Sequence, residues 1–114
     1  MKSKILALSK NEEFKTLLKK KKVSNKYVTI FFGSLENKDN KRLNISFVAK
    51  KKLGNAVKRN KIKRRLKNIM NDIIKNTSIN FDFSFLVIAK PTMLSNDYAN
   101  IKETLFQEFR KIKK

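Results

Sequence analysis

Between residues 40 and 71 the chain has no acidic residue, and ten of the eighteen residues in 50–67 are Lys or Arg. On a helical wheel with Ile62 as origin, at about 100° per residue, Lys63, Lys67, Asn60 and Arg64 fall near 100°, 140°, 160° and 200°. These four form one polar band opposite an apolar stripe, an arrangement suited to phosphate oxygens and ribose hydroxyls. Arg64 can grip a phosphate with two parallel hydrogen bonds, which the point charge of a Lys cannot do. Arg65, Lys58 and Arg59 flank the stripe, where long stems lie on apolar surface and charged heads reach water. A second candidate surface is the strand face carrying Tyr27, Thr29 and Phe31. Its aromatics either stack unpaired bases or belong to a core. Phe14 and Leu18, on a helix ahead of it, face the same choice. Catalytic chemistry is poorly supplied. The chain has no His and no Cys, and its nine Asp and Glu form no cluster in sequence. A metal-dependent centre made by the protein alone would have to be gathered from scattered carboxylates.

These side chains need elements to hold them. Ser9-Lys10-Asn11-Glu12 has the form of a capping box, with Glu12 and Glu13 favourably placed against the helix dipole. The helix that follows, of about ten residues, carries Phe14, Leu17 and Leu18 on one side and runs into Lys19–Lys22. Residues 27–32 are rich in β-branched and aromatic types and predict a strand. Period two places Tyr27, Thr29 and Phe31 on one face and Val28, Ile30 and Phe32 on the other. Residues 37–41 read as a polar turn. A second strand spans 43–49, with Leu43, Ile45, Phe47 and Ala49 opposite Asn44, Ser46 and Val48. Gly54-Asn55 reads as a tight turn feeding a helix over 55–75, where Ile62, Leu66, Ile69, Met70 and Ile73 recur at helical spacing. The near-continuous apolar run in 83–90 predicts a strand buried on both faces, stopped by Pro91. Ser95 or Asn96 is placed to cap a last helix that buries Tyr98, Ile101, Leu105, Phe109 and Ile112. The pattern is α-β-β-α-β-α, with room for a third short strand in 27–49, and it argues for an α+β fold: a small sheet with helices packed on it.

The whole chain fits one domain, residues 1–114, with no internal repeat and no Gly, Ser or Pro-rich linker. Lys plus Arg total 29 against 9 acidic residues, a formal charge of +20. Such a charge opposes compaction, and a polyanionic partner is the usual physical reason to tolerate it. No apolar run approaches the roughly 18 residues that span a bilayer. The first ten residues lack a signal-peptide core, so a cytoplasmic location is expected. Lys outnumbers Arg 24 to 5, and there are 13 Asn.

The segment Val48-Ala49-Lys50-Lys51-Lys52-Leu53-Gly54-Asn55-Ala56-Val57-Lys58-Arg59-Asn60-Lys61-Ile62-Lys63-Arg64-Arg65-Leu66-Lys67 resembles the bacterial ribonuclease P protein component. Asn11-Glu12-Glu13-Phe14 with Leu17-Leu18 looks like that family's first helix, and Phe85-Leu86-Val87-Ile88-Ala89-Lys90-Pro91 looks like its last strand and turn. The resemblance implies the order α-β-β-β-α-β-α, related to a domain of a small-subunit ribosomal protein, with a left-handed βαβ crossover in place of the common right-handed one. It implies a catalytic RNA as partner in a 1:1 assembly, precursor tRNA as substrate, and endonucleolytic removal of the 5′ leader by Mg²⁺ held mainly by the RNA. Carried over by position, RNA-subunit docking falls to Lys50, Lys51, Lys52, Arg59, Asn60, Lys61, Lys63, Arg64, Arg65 and Lys67. Leader binding falls to Phe14, Leu18, Thr29 and Phe31, with Lys63 and Lys67 at the rim. No protein residue is expected to be catalytic and no membrane is involved. This sequence departs from the family pattern in having Lys61 and Lys67 where Arg is usual, and Leu18 where a second Phe is common. Gly is missing near Ile45 and from the loop before Val23.

Other classes remain in view on the residues alone. A structural RNA-binding protein of ribosomal type shares the composition, but does not require the 59–66 motif together with an aromatic cleft. A nucleoid-type DNA binder does not need a strand face of aromatics. A membrane-surface helix would expose Leu or Phe, whereas the apolar stripe of residues 62–73 is needed for a core.

Overall fold

In the computed structural model, residues 5–8, 11–35, 42–76, 82–95 and 97–112 are described. The elements are β1 (Ile5–Leu6), α1 (Asn11–Leu17), β2 (Lys21–Ser24), β3 (Val28–Ser34) and β4 (Leu43–Val48). A 3-10 turn (Lys51–Leu53) then precedes α2 (Ala56–Asn76), β5 (Phe83–Ala89), a second 3-10 turn (Pro91–Leu94) and α3 (Tyr98–Lys111). The sheet order is β1-β4-β5-β3-β2. β5 lies at its centre, parallel to β4 and antiparallel to β3. A central strand is covered on both faces, which is why 83–89 reads as an apolar run rather than an alternation. The β4–α2–β5 segment is the parallel crossover of the fold.

The fold is α+β as expected, and the order α-β-β-β-α-β-α holds once the two-residue β1, paired with β4, is set ahead of it. The third strand does not split residues 27–49. It lies earlier, in Lys21–Ser24, and takes up half of the lysine run. As an edge strand paired only to β3 it needs no buried face, and its lysines discourage further strand addition. Helix α1 is shorter than expected. It ends at Leu17, and Lys20 N donates to Leu17 O in the turn that follows. Leu18 therefore sits outside the helix and is 48% exposed, rather than sharing a buried side with Phe14 and Leu17. Ser9 and Lys10 of the capping box and the 37–41 turn lie outside the described residues, and Glu12 stands in the first turn of α1. At α3 the N-cap position belongs to Asp97 instead of Ser95, and Asn96 lies outside the described residues. The Pro91–Leu94 turn delays the helix, and Ser95 Oγ instead accepts from the Asp97 amide at 3.1 Å.

Two apolar layers result. On one face, Ile62, Leu66, Ile69, Met70 and Ile73 of α2 and Ile101, Leu105 and Phe109 of α3 pack on Ile30, Ile45, Phe85 and Val87. On the other, Leu17 and Leu8 cover Leu86, with Phe14, Phe31, Val48 and Ile88 half-buried around them. Tyr27 departs from the expected face. It precedes β3 and is buried in the main core, because Asn25 Oδ1 accepts from the Tyr27 and Val28 amides at 2.8 and 3.0 Å and turns the chain there. Tyr98, expected in the core, stands at the surface at 36% exposure.

Candidate nucleic-acid interface

The basic surface starts where β4 ends. Lys50, Lys51 and Lys52 are exposed around a 3-10 turn anchored by buried Leu53. Gly54 follows with φ +136°, a conformation that other residues rarely adopt, and a Cβ there would come within 2.8 Å of Lys58 Cδ. Asn55 then caps α2: its Oδ1 accepts from the Lys58 amide and its carbonyl from the Arg59 amide, both at 3.0 Å. The Gly54-Asn55 turn thus fixes where the helix starts, and with it the rotation of every later side chain.

Along α2 the wheel expectation holds. Asn60, Lys61, Lys63, Arg64 and Lys67 are exposed, while Ile62 and Leu66 are buried beneath them. Two members of the docking set differ from the rest. Arg59 is half-buried, and its Nε has no hydrogen-bond partner among the described residues. Arg65 is half-buried, and one of its terminal nitrogens donates to Met93 O at 3.3 Å and to Ser95 O at 2.9 Å. Arg65 therefore ties α2 to the turn before α3.

Beside the helix, a depression of about 310 Å³ is lined by Phe14, Ser46, Val48 and Lys67, among others. Residues remote in sequence meet here: α1 supplies Phe14, β4 the floor including Phe47, and α2 the cation. The floor continues across the sheet, because Val48 pairs with Ile88, which pairs with Thr29. Ser46, Leu86 and Phe31 form the next row in the same way. Thr29 and Phe31 are half-buried on this face. Lys22 Nζ lies 6.0 Å from the Phe31 ring centroid, and Thr29 Oγ1 is 3.2 Å from Ser24 Oγ. The structure thus brings Phe14, Thr29, Phe31 and Lys67 to one face of the sheet, with Leu8 and Leu17 covering Leu86 between Ser46 and Phe31. Lys63 is exposed one turn before Lys67 and does not line the depression, and Leu18 does not line it either.

Ser46, Val48, Ile88 and Lys22 were not singled out from sequence. Alternation in 43–49 already put Ser46 and Val48 on one face. Only the strand register puts that face beside Phe31, and sequence does not supply a register.

A family model described as Ribonuclease P matches residues 3–113. The ribonuclease P protein component of Ligilactobacillus salivarius is 32% identical over 99 residues, 86% of this chain and 84% of that protein. The solved RNase P protein of Staphylococcus aureus superposes with TM-score 0.75 at 26% identity, covering 92% of each chain. That of Thermotoga maritima superposes with TM-score 0.79 at 22% identity, covering 96% of this chain and 99% of that one, a likeness of fold. The chain belongs to the ribonuclease P protein component family, the protein subunit of a tRNA-processing endoribonuclease whose partner is the ribonuclease P RNA.

Proposed function

We propose that this subunit docks on the ribonuclease P RNA through the exposed basic face of α2 and holds the 5′ leader of precursor tRNA on the sheet face beside it. The observation that carries this reading is the junction at Lys67. It is part of the basic helix and also lines the depression with Phe14, Ser46 and Val48. A cation shared by both surfaces lets a strand pass from one to the other with its phosphates neutralised while its bases meet apolar side chains. Lys50, Lys51 and Lys52 extend the RNA-facing surface from the start of α2. Mg²⁺ supplies the hydrolytic chemistry when bound, and the RNA is its holder in this proposal. Among the described residues no three His, Cys, Asp or Glu side chains converge to hold a metal ion. The protein contributes binding, orientation and charge neutralisation. No helix of the described residues is long and apolar enough to cross a membrane.

Reconstitution tests this. The protein is mixed with a bacterial ribonuclease P RNA and a precursor tRNA at limiting Mg²⁺, and the product 5′ end is mapped. Stimulated cleavage at the mature 5′ end is expected, with no cleavage by the protein alone. Equal cleavage without the RNA, or no stimulation with it, would refute the proposed division of labour.

A further inference from the structure

The lysine run in 19–22 is not absorbed by the leader face, and the structure divides it. Lys22 pairs with Phe31 and joins the leader side. Lys21 pairs with Phe32, so it points to the opposite side of the sheet. A second depression of about 560 Å³ opens at this edge of the sheet, with Lys21, Phe32, Ser34 and Phe83 on that side and Lys19, Lys20 and Gly33 where the chain turns in from α1. Its base is aromatic: Phe32 is buried, Phe83 is half-buried, and their ring centroids are 5.7 Å apart at 51°. Its rim is cationic, with three ammonium groups and no carboxylate among the lining residues.

The backbone holds this rim in place. Lys19 N and Lys20 N donate to Thr16 O and Leu17 O at 3.1 and 3.0 Å, closing the turn after α1. Gly33 faces the Phe31 side and leaves room there for the Lys20 stem, because a Cβ would stand 2.8 Å from Lys20 Cδ; Lys20 therefore reaches the hollow from over the strand edge. Edge protection explains lysines on β2. It does not explain a half-buried Phe at the bottom of a lysine-rimmed hollow of nucleotide size.

We infer that this hollow is a second single-strand RNA site, taking one unpaired base against Phe83 with its flanking phosphates on Lys19, Lys20 and Lys21. Aromatic faces accept any base, and clustered cations track the phosphates. The site is distinct from the leader face. It opens on the other side of the sheet, and Phe83, paired with Ser34, stands five strand positions from Ile88, about 17 Å away. The inference does not use the Phe14–Lys67 depression and stands if the leader reading fails.

The test is photo-crosslinking of the full chain to a short oligouridylate carrying 4-thiouridine, with adducts mapped by mass spectrometry. Adducts are expected at residues 19–21 or at Phe83, separately from adducts at Phe14 or Phe31. The double variant Lys19→Gln/Lys21→Gln, and separately Phe83→Leu, should lower the first class at least fivefold and leave the second unchanged. Thermal melting of each variant reports whether the fold is kept, and the exposed lysine pair provides the arm that does not touch the core. Adducts confined to the leader face would overturn the inference. So would an equal fall of both classes, which marks nonspecific attraction. Loss of RNA adducts with retained binding to phosphatidylglycerol vesicles would assign the hollow to a lipid surface and overturn it equally.

Discussion

Arg64 and Arg65 are adjacent in sequence and face different partners. Arg64 stands exposed in the polar band, while Arg65 donates to the carbonyls of Met93 and Ser95. Arg64→Ala should leave the melting temperature nearly unchanged and reduce the salt slope of RNA binding by about one unit, as for loss of one phosphate contact. Arg65→Met should do the reverse. It should lower stability by about 1 kcal/mol through the lost charge-assisted hydrogen bonds and leave the slope nearly unchanged. Filter binding across a salt series and thermal melting separate the two. The wheel already placed Arg65 beside the apolar stripe, but sequence could not say that the turn at 91–95 would bring carbonyls to it. Phe31 poses a similar question. Its half-buried ring continues the leader face, and Phe31→Leu keeps apolar volume while removing the stacking plane. This variant should weaken binding of leader-bearing precursor about tenfold, within the range of one base–aromatic stack. Binding of mature tRNA should not change. Equal weakening of both RNAs would show that Phe31 supports the fold rather than the leader.

At the scale of elements, the sequence was most legible where one face must be buried. The stripe of α2 and the apolar run of β5 each follow from periodicity and match the structure. Legibility failed where local patterning does not settle the outcome. Lys21 and Lys22, expected in the loop before Val23, belong to an edge strand, because β3 offered free backbone groups. Leu18 falls just past the end of α1, where Lys19 N and Lys20 N donate to Thr16 O and Leu17 O and close a turn, and it stays exposed. The docking of α3 on α2 is likewise a tertiary matter. It is marked at the surface by Lys102 Nζ, 2.7 Å from Asp72 Oδ2. The hydrogen bond from Lys102 holds the Asp72 carboxyl below its usual 3.8 and raises the Lys102 ammonium above its usual 10.5. For Asp72 the folded pKa is the lower one. Its contribution is therefore complete above about pH 4 and is lost as pH falls through the folded value. For Lys102 the folded pKa is the higher one, so its contribution is lost as pH rises through that value, well into the alkaline range. Asp72→Asn should therefore lower the melting temperature slightly at neutral pH, and the deficit should shrink as pH falls below the ordinary carboxylate value. A deficit that persists unchanged into acid would assign the effect to packing instead of the ion pair. The pair is solvent-exposed, so salt should shrink its contribution.

For the whole molecule, the charge of +20 gives folding and RNA binding opposite responses to salt. The Cα atoms occupy a radius of gyration of 13.4 Å, not much more than the Debye length of about 10 Å at 0.1 M salt. At low ionic strength most cations therefore repel one another across the fold, and few acidic groups offset them. Added KCl screens that repulsion and should raise the melting temperature, with the largest gain on leaving about 0.01 M salt, where the Debye length of about 30 Å still spans the molecule. RNA docking should respond in the opposite direction. With Arg65 engaged by backbone, eight cations of the docking set remain: Lys50, Lys51, Lys52, Arg59, Lys61, Lys63, Arg64 and Lys67. If each neutralised one duplex phosphate, the logarithm of the association constant would fall with the logarithm of salt at a slope of about −7. A slope near −2 would mean that most of the α2 face does not touch phosphate. A slope far steeper than −7 would mean that cations outside this face, such as those around Phe83, also engage the RNA. The two titrations use one protein and one salt series. A melting temperature that fell with salt would show that local ion pairs outweigh the collective repulsion. In that case the basic excess would carry little folding cost for the RNA to relieve, and bound RNA should stabilise the chain only through its contacts.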